Sequence, residues 1–157
     1  MEYLAEILEK EASVYTHYLD LAIKKKQALI NNDVDSLDVI TDEEKSLSTK
    51  VLALEAARVE YLREQGYPAN INLNDLLPKL PKEQRDEIKT KSENLKEVLT
   101  KCKKFSDNNM TLLKQSSNYI NHMIKIFSSN LNGGQQPATY GKGTQKFAMG
   151  KIADMQG

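Results

Sequence analysis

The chain has 157 residues and a mass of 17.8 kDa, and its 22 lysines and arginines are balanced by 22 aspartates and glutamates. This balance excludes a nucleic-acid binder that relies on an overall basic field, and the single cysteine, Cys102, excludes an intramolecular disulfide and any multi-cysteine metal site. Because no apolar run approaches the ~18 residues of a membrane span and the acidic start MEYLAEILEKE lacks the basic region of a signal peptide, we expect a cytoplasmic, all-helical protein.

The first predicted helix covers residues 2–30. Its apolar residues recur at the three- and four-residue spacing of one helical face, which Glu11 and Lys25 interrupt. The letters NND that follow predict a turn, after which Asp33 or Asp35 accepts backbone N–H groups at the start of the next helix.

The second predicted helix covers residues 34–65. Its apolar stripe is weakest at Glu44, and Gly66 provides a left-handed stop because it lacks a Cβ. Since only about three residues join the first two helices, we expect them to lie antiparallel and side by side.

A connector follows at residues 66–81, with the sequence GYPANINLNDLLPKLP and three of the four prolines. Residues 72–77 are predicted to form a single helical turn over the end of the bundle. The third helix is the longest and covers residues 82–130. Residues 131–157 hold most of the glycines, and we expect a flexible tail there. The predicted fold is therefore all-α: an elongated antiparallel three-helix, coiled-coil-like bundle over residues 1–130, followed by that tail.

The third helix changes character along its length. Residues 82–104 hold 13 charged residues in 23 positions, whereas residues 105–130 hold only Asp107, Lys114 and Lys125. Serine and asparagine fill the polar positions of the second part, and its apolar residues occur as adjacent pairs. Such pairs cover more of the helix circumference than one packing seam requires.

The predicted helix lengths draw attention to the same part of the third helix. At ~1.5 Å per residue, the first two helices span roughly 45 Å each and the third roughly 70 Å. If the third helix is straight, it overhangs its neighbours from near Leu113 onward. An exposed apolar overhang predicts a binding site for a partner helix. Two alternatives are that the helix bends back, or that a dimer buries this segment.

The residues that catalysis would need are missing. His17 and His122 lie on distant helices, Cys102 lies on the apolar stripe of the third helix, and GKGTQK at residues 141–146 lacks the spacing of a phosphate-binding loop. We therefore expect no enzyme activity, no metal and no cofactor. The short lysine clusters leave open a nucleic-acid or membrane-surface binder, although a solvated helix face is the simpler explanation of them.

The order of landmarks along the chain resembles the FlgN-type flagellar export chaperones. The shared elements are an acidic, leucine-containing first helix, the turn LINNDVDSLDVIT, the helix end LEAARVEYLREQG, the proline-rich connector, the segment NNMTLLKQSSNYINHMI and a tail containing TYGKG. The likeness spans nearly the whole chain.

The resemblance implies a cytoplasmic chaperone of the type III flagellar export apparatus that needs no cofactor. Its partners are the hook-associated proteins of the hook–filament junction and components of the export gate and its ATPase complex, with no nucleic acid and no direct membrane insertion. The client-binding residues that it implies lie in the third helix: Asn109, Leu112, Leu113, Ser116, Tyr119, Ile120, Met123, Ile124 and Phe127. Tyr119 is also the candidate for docking on the export gate. The alternative function is a coiled-coil adaptor, or a self-associating bundle, without chaperone activity.

Overall fold

The structure, a computed structural model, describes residues 1–130, with the side chains of all of these except residues 119, 120, 122, 123 and 126–130. It is all-helical in this part of the chain, with no strand. Its helices are α1 (Glu2–Asn31), α2 (Val34–Glu64), α3 (Leu73–Leu76), which runs into a 3₁₀ turn (Leu77–Lys79), and α4 (Lys82–Asn130). The predicted flexible tail lies outside the described residues.

The helix boundaries follow from local backbone chemistry. Asn32 adopts the left-handed conformation, with φ of 53°, and ends α1. Asp33 then caps α2, because its carboxylate accepts a 3.1 Å hydrogen bond from the Ser36 backbone N–H. Gly66 has a φ of 80°, as its predicted role in ending the second helix requires. The turn between α1 and α2 is called the hairpin tip below, and the opposite end, where α1 and α4 begin, the connector end.

α1 lies between the other two long helices. It packs antiparallel to α2, because early residues of α1 pair with late residues of α2, as Glu11 does with Arg58. It also packs along α4 over much of its length. Within the described residues, α2 and α4 make no comparably extended contact with each other. Since α1 and α4 run parallel, as the register below shows, α2 runs antiparallel to both of them, although it packs extensively only on α1.

The apolar core is divided between the two ends of the molecule. At the connector end all the elements contribute, and the buried residues are Leu4, Ala5, Leu8, Ala12, Leu62, Leu76, Leu80, Ile88, Leu95 and Leu99. At the hairpin tip the buried cluster belongs to α1 and α2 alone, and comprises Leu21, Ala28, Ile40 and Leu47. The connector between α2 and α4 therefore completes the larger core, whereas α4 adds little to the smaller one.

The two charged residues that interrupt the α1 stripe are buried against α2. Lys25 lies 2.9 Å from Glu44, the residue at the weak point of the second stripe, and both side chains are almost fully enclosed. Glu11 lies 3.5 Å from Arg58. Each interruption therefore has an oppositely charged partner on the neighbouring helix, and the α1–α2 contact stays continuous across it.

The Lys25–Glu44 pair should matter for stability mainly when one partner is removed. Replacing Lys25 by Met leaves the Glu44 carboxylate enclosed without its cation, and we expect a loss of about 3 kcal/mol in the free energy of unfolding. The double change Lys25→Met with Glu44→Leu should recover most of that loss, because no buried charge remains. Urea unfolding of the three variants measures this, and a double variant as unstable as the single one would contradict it.

Glu11 should make stability depend on pH. Burial raises the pKa of this carboxyl above the ordinary 4.5, Arg58 partly offsets the rise and Glu55 adds to it. Because the folded state then binds the proton more tightly than the unfolded chain, stability due to Glu11 increases as the pH falls through the folded pKa and levels off below 4.5.

We therefore expect the free energy of unfolding of the wild type to rise relative to that of Glu11→Gln as the pH is lowered from neutrality. Urea unfolding of both proteins across this range tests the sign, and the subtraction removes the titration of the other carboxyls. A difference that is constant with pH, or that falls in acid, would be inconsistent with a raised pKa.

Candidate functional site

Two hydrogen bonds fix the register between α1 and α4. The Cys102 thiol donates to the Tyr15 backbone carbonyl at 3.2 Å, and Asn109 Nδ2 donates to the Ala22 carbonyl at 2.7 Å. Both pairs are separated by 87 residues in sequence, so the two helices run parallel and keep a seven-residue register. Adding 87 to Asn31, the last residue of α1, gives position 118 of α4.

α4 extends beyond the hairpin tip. It continues as a helix to Asn130, so residues 119–130, which we call the overhang, reach about 18 Å past the end of α1. The overhang begins later than the predicted position near Leu113. The reason is that α4 begins seven residues, about two turns, before the position that the register aligns with Glu2, the first residue of α1.

The α4 seam that faces α1 loses apolar character toward the hairpin tip. Its seven-residue positions are Ile88, Leu95, Cys102, Asn109 and Ser116, of which the first four are buried. The side chains thus change from large aliphatic to small and polar along the helix. Apolar burial consequently holds α4 to α1 most strongly near the connector end.

Asn109 occupies a place different from the predicted one. It was predicted to contact a client, but its side chain is only 2% exposed and lies in the α1–α4 seam. Its Nδ2 is bonded to α1, whereas its Oδ1 is buried without a hydrogen-bond partner. Because its side chain is buried against α1, Asn109 presents no surface for a partner.

Leu113 is the described residue that best fits the predicted site. Its side chain is 37% exposed, an unusual value for a leucine beside a packing seam. The register places it opposite Lys26, which is exposed. Neither side chain is enclosed by the α1–α4 contact at this level.

The other predicted residues divide into two groups. Leu112, Ser116 and Ile124 are half-buried. The side chains of Tyr119, Ile120, Met123 and Phe127 lie outside the described residues, and the helical backbone places all four in the overhang.

The described residues of this region hold no reactive thiol and no cluster of metal ligands. Burial raises the pKa of the Cys102 thiol to about 11, so it stays protonated at neutral pH and is a poor nucleophile. Across the described residues no three His, Cys, Asp or Glu side chains come close enough to hold a metal ion. No helix in that part of the chain has the length and apolar character to span a membrane.

Two exposed isoleucines of α1 were not predicted to take part in the site. Ile23 is 46% and Ile30 54% exposed, and they lie one heptad apart on one face of the helix. They lie off the apolar stripe that marks the buried face of α1. Only an alignment of the seven-residue repeats of α1 and α4 places them beside the contact between these helices.

Comparison with known proteins gives one match. A family model described as FlgN protein matches residues 1–146, which is more than half of the chain. No curated protein and no solved structure matches significantly.

The seam position of Asn109 leads to a stability prediction. Replacing it by Leu removes a buried oxygen that has no partner and adds apolar surface, so we expect the free energy of unfolding to rise by about 1 kcal/mol. Urea unfolding against the wild type measures this. Leu95→Ala, at the same seam position nearer the connector end, is the matched comparison and should lose about 2–5 kcal/mol. A destabilised Asn109→Leu would show that the seam is too tight there for the larger side chain.

Proposed function

The chain belongs to the FlgN family of flagellum-biogenesis chaperones, and on that premise we propose that it is a cytoplasmic type III export chaperone whose clients are the hook–filament junction proteins. It keeps these hook-associated proteins unassembled and delivers them to the export gate and its ATPase complex. The single observation that carries the placement of the site is that α4 outreaches α1 by the overhang, residues 119–130.

We place the client on the distal part of α4. The charge-poor segment 105–130 ends in the overhang, and Leu113 is exposed just before it. The proposed contacts are Leu112, Leu113, Ser116, Tyr119, Ile120, Met123, Ile124 and Phe127. A helix with so few charges and an apolar face is poorly solvated when alone, so a client helix that covers it is stabilised by apolar burial.

The proposed mechanism is masking. A client segment bound along α4 is unavailable for assembly with other client molecules in the cytoplasm. Each buried leucine or isoleucine contributes ~1.5–3 kcal/mol. Three or four such anchors give roughly micromolar affinity once the entropic costs of association are subtracted. Binding of this strength is reversible, as transfer to an export gate requires.

Docking on the export gate is a separate part of the proposal. Tyr119 is the residue that the family resemblance suggests, and it is the only tyrosine of α4. It is the first residue beyond the end of α1 in the α1–α4 register. A partner approaching along the molecule's axis can therefore reach this position from beyond α1.

Leu113→Asp tests the placement of the client. A carboxylate at this exposed position costs desolvation when a client covers it, so we expect binding to be lost while the free protein keeps its helical content. Ile120→Asp should act in the same way. Calorimetric titration with the purified junction proteins of the same organism measures the affinity, and circular dichroism measures the helicity.

Val39→Asp is the matched control for this experiment. Val39 is 59% exposed on α2, so this variant carries the same substitution on a helix that contributes none of the proposed contacts, and it should bind clients as the wild type does. Unchanged affinity of Leu113→Asp would reject the placement on α4. A wild-type protein that binds no junction protein and forms a dimer, which Leu113→Asp dissociates, would instead favour the self-associating bundle.

A further inference from the structure

Along one edge of the α1–α4 contact, which we call the outer flank, the residues change from charged to apolar. Near the connector end this flank carries an ion pair, with Lys91 Nζ 3.1 Å from the Glu9 carboxylate. Steps of seven residues from Glu9 lead along α1 to Thr16, Ile23 and Ile30. The same steps from Lys91 lead along α4 to Val98, Phe105 and Leu112. We call Ile23, Ile30, Phe105 and Leu112 the outer strip.

The outer strip lies on the side of α1 away from α2. α2 contacts α1 through Glu11 and Lys25, which belong to another seven-residue series. No described element of the chain covers Ile23 and Ile30, since they stay about half exposed. Phe105 and Leu112 are half-buried beside them in the register.

Apolar residues at these positions are unusual for a pair of helices. In two-stranded coiled coils the positions that flank the seam are commonly charged and form interhelical ion pairs, as Glu9 and Lys91 do. Apolar residues at flanking positions widen the hydrophobic face, and a wider face accommodates an additional helix. On the opposite side of α1 that additional helix is α2. On the outer strip no described element of the chain provides one.

We propose that the client lies along the outer strip as an amphipathic helix and so contacts α1 as well as α4. This inference rests on the proposed function. The outer strip adjoins the start of the overhang, because Ile30 is the penultimate residue of α1 and the next step of seven from Leu112 is position 119. From residue 105 to residue 130 the α4 backbone runs about 39 Å, so a client helix that follows it throughout has about 26 residues.

The surroundings of the outer strip specify the chemistry of that helix. The exposed positions three or four residues outward from strip members are Asp20, Gln27, Lys101, Asn108 and Gln115. The two charges have opposite signs, and Lys101 is already paired with Glu97 at 2.7 Å. Exposed lysines also adjoin strip members, with Lys26 between Ile23 and Ile30 and Lys104 beside Phe105. The helix that fits carries an apolar stripe, and its border meets more basic than acidic side chains.

Ile23→Asp and Ile30→Asp test this inference in the full chain. Each change places a carboxylate in the contact, and we expect each to weaken the binding of purified junction proteins by about tenfold or more in calorimetric titration. Val39→Asp remains the control and should leave the affinity unchanged. A photo-crosslinking residue at position 30 should capture the client, and one at position 39 should not. The wild-type affinity should change little with salt.

Three outcomes separate this inference from the function on which it rests. If Leu113→Asp loses the client while Ile23→Asp and Ile30→Asp retain it, the outer strip is not part of the site and the proposed function stands. If the wild type binds no junction protein, the proposed function itself is wrong. If the isoleucine changes convert a dimer of the free protein to a monomer without changing client affinity, the outer strip joins two copies of this chain and the inference is overturned.

Discussion

The parallel seam between α1 and α4 is the contact on which the rest of the molecule depends. One constant offset, carried by Cys102 on Tyr15 and by Asn109 on Ala22, sets how far α4 reaches past the hairpin tip. The offset also determines which residues of α1 and α4 lie next to each other along the edges of their contact. Shifting the register by one heptad would lengthen or shorten the overhang by roughly 10 Å and would move the apolar flank relative to the charged one.

The two ends of the α1–α4 seam differ in how much apolar surface they bury. At the connector end, four helices and the 3₁₀ turn surround buried leucines and isoleucines, and this cluster holds the three long helices together. At the hairpin tip the seam contains Asn109 and Ser116, and apolar side chains such as Leu113 and Ile30 stay at the surface. The apolar surface that would tighten the fold at this end is instead available to another chain.

Much of the fold could be predicted from the sequence because it depends on local chemistry. The Asp33 cap and the Gly66 stop follow from the preferences of single residues, and the all-helical class follows from apolar spacing. The partners of Lys25 and Glu11 could not be seen in the same way. A stripe on one helix shows where a charge interrupts it and does not show which residue of the next helix lies opposite.

The α1–α4 register decides which of the predicted site residues lie at the surface. Asn109 belongs to a segment rich in serine and asparagine and so resembled a surface residue, yet its seam position buries it. Ile23 and Ile30 were missed for the converse reason, since a flank can be recognised only after two helices are aligned. Leu113 is exposed, although the register places it opposite Lys26 of α1 and so before the overhang.

The two enclosed ion pairs between α1 and α2 also select the direction of the hairpin. Along α1 the negative residue, Glu11, precedes the positive one, Lys25, and along α2 Glu44 likewise precedes Arg58 at the same two-heptad spacing. Antiparallel helices therefore match unlike charges at both positions, whereas a parallel alignment of the same positions would bring two carboxylates together and two cations together. The order of charges thus favours the antiparallel direction of α1 and α2 independently of the loop that joins them. It also disfavours pairing with parallel helices of neighbouring chains.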